Sequence, residues 1–423
     1  MNILHISALP VWPLAGKGGM PSLAETLRGH VRAGHEITLV LPKHPPLGIA
    51  DEVTQIPPDT GYAVHHAEFA WVPYLKAFRR SCHRLLGAEL PFLLRWVLNL
   101  LTCLMVTVSL VVAGLHVRCR RRKRFDLVYA HNQYAAPAGL LLRLMFGLPN
   151  VTRLYGTFLA ELMSRRWVWL RYPVAAAGYL VPHSLLICGN DGTWGDRVAE
   201  KLGIDLGRFR FWQNGVDMPA APPKATRASL RKTAPENLRP DSTWVVSCSR
   251  LSYWKRIDRL IRAVHAARDA GADCQLIVAG DGPERLRLAR LADELGVGDE
   301  IVWLGAVAHD EIWAWMNVAD VFIIANDVTN RCNPLYEAIC AHLPVVSVRH
   351  PSTADLLSDG DNALLAEPDD VRRLGEHLAA IARDGALQKR LRRAQQSVAE
   401  SFWTWEERMN CEVRELESLV AAG

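Results

Sequence analysis

The 423-residue chain is 50% hydrophobic and 22% charged, a globular composition that excludes a disordered chain, and its length calls for two or three domains. Its net charge is +5, and the six cations within 118–124 account for more than all of it, so the basic excess is one local cluster and not the spread basic face of a nucleic-acid binder. Nine scattered cysteines without a C-x-x-C pair argue against a disulfide framework and a zinc site, and fit a reducing compartment.

The opening MNILHIS lacks the charged-then-apolar build of a signal peptide, and residues 3–7 read as a short buried strand. A loop over 8–19 carries Gly16, Gly18 and Gly19. Leu23, Leu27 and Val31 then recur at helical spacing over 21–32, Gly34 ends that helix, and 36–41 reads as a second strand. This β-loop-α-β start predicts a doubly wound α/β domain. The glycines place backbone N–H groups at a helix N-terminus, where an anion is favoured; a tight turn without a ligand is the other reading. No element is legible between 48 and 70.

Residues 96–115 carry no formal charge, with Arg95 before them and the basic cluster after them. As a helix this run is about 30 Å long, enough to cross a bilayer. Yet 125–130 reads as a strand of the same sheet as 3–7, so a single crossing would put neighbouring strands of one sheet on opposite sides of the membrane. A return crossing upstream is interrupted by Lys76, Arg79, Arg80 and Arg84. The expectation is a helix that lies in or dips into the cytoplasmic leaflet, with the basic cluster on anionic head groups, making 90–124 a membrane-associating segment of a protein peripheral on the inner face. A buried helix with a solvated basic loop is the competing reading.

His131 and Asn132 follow the strand 125–130, at the end where ligands bind in such sheets. An apolar helix over 135–146, strands at 150–155 and 184–188, and a helix from near Thr193 continue the pattern. Trp167 and Trp169, set among Arg165, Arg166 and Arg171, read either as a second membrane-facing patch or as packing. FWQNGVD at 211–217 closes a first domain over 1–218. A proline-rich stretch, 219–240, reads as a linker with a lead-in helix. Strands at 244–249, 275–279, 300–304, 321–324 and 344–348 then alternate with helices near 255–270, 283–296, 309–317 and 334–342, a second parallel sheet in a domain over 241–397. The tail, 398–423, ends in an amphipathic helix.

Chemistry is expected at the strand ends of the second sheet. Arg250 and Lys255 are preorganised cations suited to a leaving diphosphate, where negative charge develops. Lys255 opens a helix, against the helix dipole, which favours a functional role. Gly280 and Gly282 flank Asp281 and permit close backbone approach, either to a ligand or within a turn closed by Pro283. Glu337 offers a carboxylate to the two hydroxyls of a ribose. With both cations present no metal or other cofactor is expected.

Ser249-Arg250-Leu251, Lys255, Gly280-Asp281-Gly282, Trp303-Leu304-Gly305 and Glu337-Ala338, with Gly18-Gly19, the run 32–37 (RAGHEI) and Asn214-Gly215-Val216-Asp217, resemble the GT-B fold retaining glycosyltransferases of family 4 over nearly the whole chain. The resemblance implies two Rossmann-like domains facing across a cleft, a nucleotide-sugar donor, and a final helix crossing back onto the first domain. It assigns the diphosphate to Arg250 and Lys255, the ribose to Glu337, and donor contacts to Gly18, Gly19, Asn214, Gly280, Asp281 and Leu304. It also implies front-face attack by the acceptor hydroxyl with retention.

Two positions depart from the family pattern. The first glutamate of its E-x7-E motif is Thr329, which leaves Thr329, Asn330, Asn333, Pro334 and Leu335 to hold the donor sugar. The usual histidine before a glycine is Tyr155, which makes His131 the remaining candidate by topology. The partners implied are a nucleotide sugar, a lipid-linked or glycan acceptor and an anionic membrane surface. A catalytically silent GT-B partner of a polysaccharide assembly system is the alternative.

Overall fold

The computed structural model describes residues 1–9, 21–42, 61–67, 69–86, 91–120, 122–164, 166–216 and 225–422. The expected glycine loop, with Gly18 and Gly19, lies outside the described residues. The chain divides into two compact units, Met1–Asn214 with Trp405–Gly423, and Gly215–Thr404.

The first unit is built on seven parallel strands: β1 (Asn2–Ser7), β2 (Glu36–Pro42), β3 (Ala63–Ala67), β4 (Leu127–His131), β5 (Asn150–Leu154), β6 (Leu185–Gly189) and β7 (Phe209–Trp212). Their order is β3-β2-β1-β4-β5-β6-β7. The helices are α1 (Pro21–Arg32), α2 (Val72–Leu86), α3 (Phe92–Arg120), α4 (Ala136–Phe146), α5 (Leu159–Leu162), α6 (Val168–Arg171), α7 (Pro173–Leu180) and α8 (Gly195–Lys201). The chain winds outward from β1 and restarts on its other side at β4, so the switch point lies between them, with Ser7 level with His131. Such a sheet buries both faces, and β4 and β5 are buried along their whole length.

Helix α3 has two apolar faces. Leu98, Thr102, Val106, Leu110 and Val117 are buried at four- and seven-residue spacing, and the helix contacts β1, β2, β3 and α4. A Cβ on Gly114 would sit 3.0 Å from Leu142 Cδ1, so the helix backbone runs close to α4. Thr102, Thr107 and Ser109 donate their hydroxyls to the carbonyls of Leu98, Cys103 and Met105, which satisfies them inside an apolar helix. The opposite face carries Leu93, Val97, Leu100, Leu104, Val108 and Val112, all exposed. Leu141, Leu144 and Met145 of α4 are exposed as well.

The second unit holds β8 (Thr243–Cys248), β9 (Cys274–Ala279), β10 (Ile301–Gly305), β11 (Val321–Ile324), β12 (Val345–Val348) and β13 (Ala363–Ala366), parallel in the order β10-β9-β8-β11-β12-β13. Its helices are α9 (Arg227–Arg231), α10 (Ile257–Asp269), α11 (Arg285–Glu294), α12 (His309–Val318), α13 (Asn333–Cys340), α14 (Val371–Arg383) and α15 (Gly385–Ala399). The switch point here lies between β8 and β11. One face is covered by α10, α11 and α14. There Gly375 lets two helices touch, since its Cβ would fall 2.5 Å from that of Ala266.

Three expectations from the sequence are corrected. Residues 225–240 belong to the second unit and are not a linker. Thr226 caps α9 reciprocally with Ser229, Leu238 is buried, and Arg227 pairs with Asp320. The lead-in helix expected there is α9, five residues long. The final helix, α16, runs Trp405–Ala421, so 398–404 stays with the second unit. Strands β3 and β13 and helices α14 and α15 are additions to the expected elements. Helix α16 packs on α1, where a Cβ on Gly29 would lie 2.4 Å from Met409 Cγ.

Candidate active site

The loops leaving β8, β9 and β10 are laced by their backbones. Ser249 N donates to Ala279 O (3.1 Å), Leu251 N to Asp281 O (2.9 Å), and Gly280 N to Gly305 O (2.7 Å). Gly280 has φ 147°, and a Cβ there would lie 1.9 Å from Ser249 O; one on Gly282 would lie 2.3 Å from Leu251 O. The close approach that these glycines allow is therefore to the Ser249–Leu251 backbone. Its effect is to fix where Arg250 leaves the sheet.

Lys255 is half-buried in the turn before α10, with Nζ 4.1 Å from the centre of the Trp254 ring. The turn is pinned to the end of β11. Asp327 N donates to Trp254 O (3.0 Å). The Asp327 carboxylate takes Arg256 (3.1 Å) and buried Arg259 (2.6 Å). Arg256 itself sits at φ 48°, a left-handed conformation held by Asp258 and Asp327. Arg256 and Arg259 are thus neutralised. Among the described residues no carboxylate pairs with Arg250 or Lys255, which leaves two cations for an anionic ligand.

Glu337 lies buried in α13. Its Oε1 is 2.8 Å from His309 Nε2, while Oε2 is buried without a hydrogen-bond partner. Burial is the main force pushing the Cys248 thiol well up, with Glu337 and Cys332 adding to it and Lys255 opposing, so these four groups share one electrostatic neighbourhood. The Cys340 thiol is pushed up to about 12 by burial and by Glu337. The hydroxyls of Ser249 and Ser252 are also buried without a partner. A buried polar atom left unsatisfied is costly, and a cluster of them at a strand end fits a ligand that supplies the missing bonds.

The segment between β11 and α13 is built from its own polar groups. Thr329 Oγ1 accepts from Arg331 N (3.0 Å), and Thr329 O accepts from Asn326 Nδ2 (2.8 Å). Asn330 is fully buried; its Oδ1 accepts from Asn326 N (2.8 Å), its N–H goes to Ser352, and its Nδ2 is left without a partner. Pro334 has no N–H and Leu335 donates its own to Cys332 O (3.0 Å). Neither residue therefore has a free backbone N–H to offer a sugar.

Of the residues singled out in the sequence, Arg250, Lys255, Gly280, Asp281, Leu304, Thr329, Asn330, Asn333, Pro334, Leu335 and Glu337 all gather at the C-terminal edge of the second sheet. Asp281 is exposed and accepts from Gly282 N (2.7 Å), and Leu304 packs on the core. Asn214 belongs to the first unit, where its Oδ1 accepts from Arg153 (3.4 Å). His131 is there too, wholly buried, with Nε2 2.8 Å from His5 Nδ1 and Nδ1 2.7 Å from the Tyr155 hydroxyl. Both of its ring nitrogens are engaged by protein, so it is not the open catalytic group that topology suggests. His309, Trp254 and the Asp327 pairings are the site features that sequence reasoning misses, since no motif surrounds them.

Residues 230–398 match the family model described as Glycosyl transferases group 1. The chain is 26% identical over 298 residues to the 2-deoxystreptamine glucosyltransferase of Streptomyces kanamyceticus, covering 68% of this chain and 76% of that one. It is 28% identical over 211 residues to the GDP-mannose-dependent alpha-(1-6)-phosphatidylinositol monomannoside mannosyltransferase of Mycobacterium tuberculosis, covering 48% of this chain and about half, 51%, of the relative. The crystal structure of Anabaena Alr3699/HepE in complex with UDP and glucose is similar with a TM-score of 0.68 at 19% identity, over 99% of both chains. The fold is GT-B. Together with the matched segment, these likenesses support a GT-B glycosyltransferase.

Proposed function

We propose that this protein is a retaining GT-B glycosyltransferase of family 4. It moves a sugar from a nucleotide donor to a lipid-linked or membrane-proximal acceptor in polysaccharide or glycolipid biosynthesis. The observation that carries the reading is a pair of cations, Arg250 and Lys255, with no carboxylate partner among the described residues, at the same end of the second sheet as a buried carboxylate, Glu337, with one unsatisfied oxygen. Diphosphate and ribose complement this set in charge and in hydrogen bonding. The cations stabilise the charge of the leaving diphosphate without a metal. Glu337 Oε2 accepts from a ribose hydroxyl, and Asn330 Nδ2 donates to the sugar. UDP in a structural neighbour and GDP-mannose in the name of a relative support a nucleotide-sugar donor.

The acceptor reading rests on the first unit. The exposed stripe of α3 continues onto Leu144 and Met145 of α4, and Arg120, Arg122 and Arg124 are exposed at its end. An apolar face with a basic rim suits an anionic bilayer surface, which supports the reading of a protein peripheral on the cytoplasmic face. The phosphatidylinositol mannoside acceptor in a relative's name supports a lipid acceptor here. Absorption of Thr329 into its own loop favours a second reading, a nucleotide-sugar-binding partner without turnover. Nucleoside diphosphate release from candidate donors, with a membrane extract as acceptor source, decides between them. Release above the donor-only control is expected, and its absence with every donor that binds would leave only the second reading.

A further inference from the structure

The first unit has two chemically opposite faces. Along β1, Ile3 enters a core shared with α1 and α16, while Leu4 and Ile6 enter one shared with α3 and α4, as alternation in a strand requires. On the first face α16 carries Glu406, Glu407, Glu412, Glu415 and Glu417. On the second, α7 joins α3, α4 and α6, and Leu98 of α3 packs with Cys82 of α2. Helices α2, α3, α4, α6 and α7 hold no aspartate or glutamate, although the chain has 44. Every formal charge on these five helices is positive.

The bare stripe of α3 ends in exposed arginines, and its start meets an aromatic turn. In the run WVWLR at 167–171, Val168 is buried in a core with Leu159 and Tyr179. That turns Trp167, Trp169 and Leu170 outward, at 59%, 40% and 58% exposure. The two indoles meet edge-on with centres 5.7 Å apart. Trp167 takes φ 61°, a left-handed conformation that is unfavourable for so bulky a residue. Its carbonyl accepts from Leu170 N (3.0 Å) and Arg171 N (3.1 Å), so the turn is fixed. It is also fastened to α3, since Trp96 Nε1 donates to Leu170 O (2.8 Å) and Arg171 lies 4.6 Å over the Phe92 ring. The strain thus displays apolar rings to solvent instead of packing them, and strain kept at a surface points to function. Helix α3 has 29 residues and is about 43 Å long. Its inner face is packed on protein from Leu98 to Val117, so both ends face outward from the same side of the sheet. Indoles favour the head-group level of a bilayer, and arginines favour anionic lipid.

Resting on the membrane reading above, we propose that Trp167 and Trp169 form an interfacial anchor. They seat at the head-group level of an anionic phospholipid bilayer and, with the arginines at the far end of α3, hold that helix flat along the surface. Two measurements on the full chain test this, with vesicles of phosphatidylcholine and phosphatidylglycerol. The double variant Trp167→Asn, Trp169→Ser is expected to lose about tenfold in vesicle affinity, the effect of keeping two half-exposed rings in water. Its urea midpoint should be unchanged or raised, because asparagine tolerates the left-handed conformation better than tryptophan. The double variant Trp167→Phe, Trp169→Phe keeps two aromatic rings but removes the indoles. Lipids brominated high on the acyl chain are expected to quench wild-type tryptophan fluorescence, and to quench this variant far less. Equal quenching in the two, or vesicle affinity of the Asn, Ser variant equal to wild type, overturns the anchor alone. Failure of wild type to bind the vesicles overturns the membrane reading, and the anchor with it.

Discussion

Glu337 gives one carboxylate oxygen to His309, at 2.8 Å, and keeps the other buried and unpaired. The histidine holds the side chain in place, and the second oxygen is what a ribose meets. Glu337→Ala is therefore expected to weaken nucleoside diphosphate binding by about tenfold to a hundredfold, the range for a hydrogen bond to a charged group. His309→Ala should weaken it less, since it loosens the carboxylate without removing it. Titration calorimetry on the two variants checks the order; an equal or larger effect in His309→Ala would place the ribose elsewhere.

Lys255 is held over the Trp254 ring and faces no carboxylate among the described residues. Lys255→Ala removes a cation–π contact of about 0.5–1 kcal/mol, so thermal stability should change little. Diphosphate affinity should fall by about tenfold or more and turnover should disappear. Affinity equal to wild type would count against the placement of the leaving group.

Gly280 tests how the cationic loop is held. Gly280→Ala would force a methyl group to within 1.9 Å of Ser249 O at φ 147°, so backbone must move. A loss of about 1–3 kcal/mol is expected from such strain, read by urea unfolding, with weakened diphosphate binding as Arg250 shifts. A variant as stable as wild type would mean that the loops after β8 and β9 can separate freely.

The outer face of α3 gives a test that spares the core. Leu100, Leu104 and Val108 are exposed while Leu98, Val106 and Leu110 are buried. Changing the exposed three to Asp should leave folded-state stability within about 1 kcal/mol. It should abolish flotation with vesicles containing phosphatidylglycerol. Unchanged flotation would remove the membrane role of this face.

Acid sensitivity follows from a buried row in the first unit, where His30 stands 3.4 Å from Glu412 and 3.2 Å from His5, and His5 stands 2.8 Å from His131. His5 and His131 are lowered well below 6.5 by burial, and His183 is lowered to about 4. In the unfolded chain these groups take up protons near 6.5, while in the folded chain they resist them. Their stabilisation is therefore complete above 6.5 and is lost as pH falls, at about 1.4 kcal/mol per pH unit for each such histidine. Glu412, lowered well below 4.5, shifts stability in the same direction once pH drops under that value. Urea unfolding at pH 7.5, 6.0 and 5.0 should show falling stability; a flat profile would contradict the burial of neutral imidazoles.

The second unit is the more legible half. Its strands are continuous apolar runs, such as QLIVA in β9, separated by helices with clear apolar stripes, and periodicity suffices for those. The cations of the site follow β8 and the carboxylate lies in α13, at the end of the sheet where such folds bind ligands. β13 and α14 escape because neither carries a motif, and β3 because AVHHA reads as neither strand nor core. The row through His5, His30, His131 and Glu412 is invisible for another reason. Its members are 25, 126 and more residues apart in sequence, and each taken alone is an ordinary residue of a strand or helix. For α3 the length and apolarity are plain, but its division into a packed face and a bare face depends on which neighbours fold against it.

The carboxylate that neutralises Arg153 and Arg408 lies on α16, within the segment Trp405–Gly423 that completes the first unit. During synthesis Arg153, His5, His30 and His131 emerge long before it, separated from it by the whole of Gly215–Thr404. Until α16 arrives, the first sheet must either leave Arg153 in water or bury it uncompensated. The half of the protein made first is thus the half that matures last, and a nascent chain halted before Glu412 would present an unfinished fold with its apolar α3 already exposed.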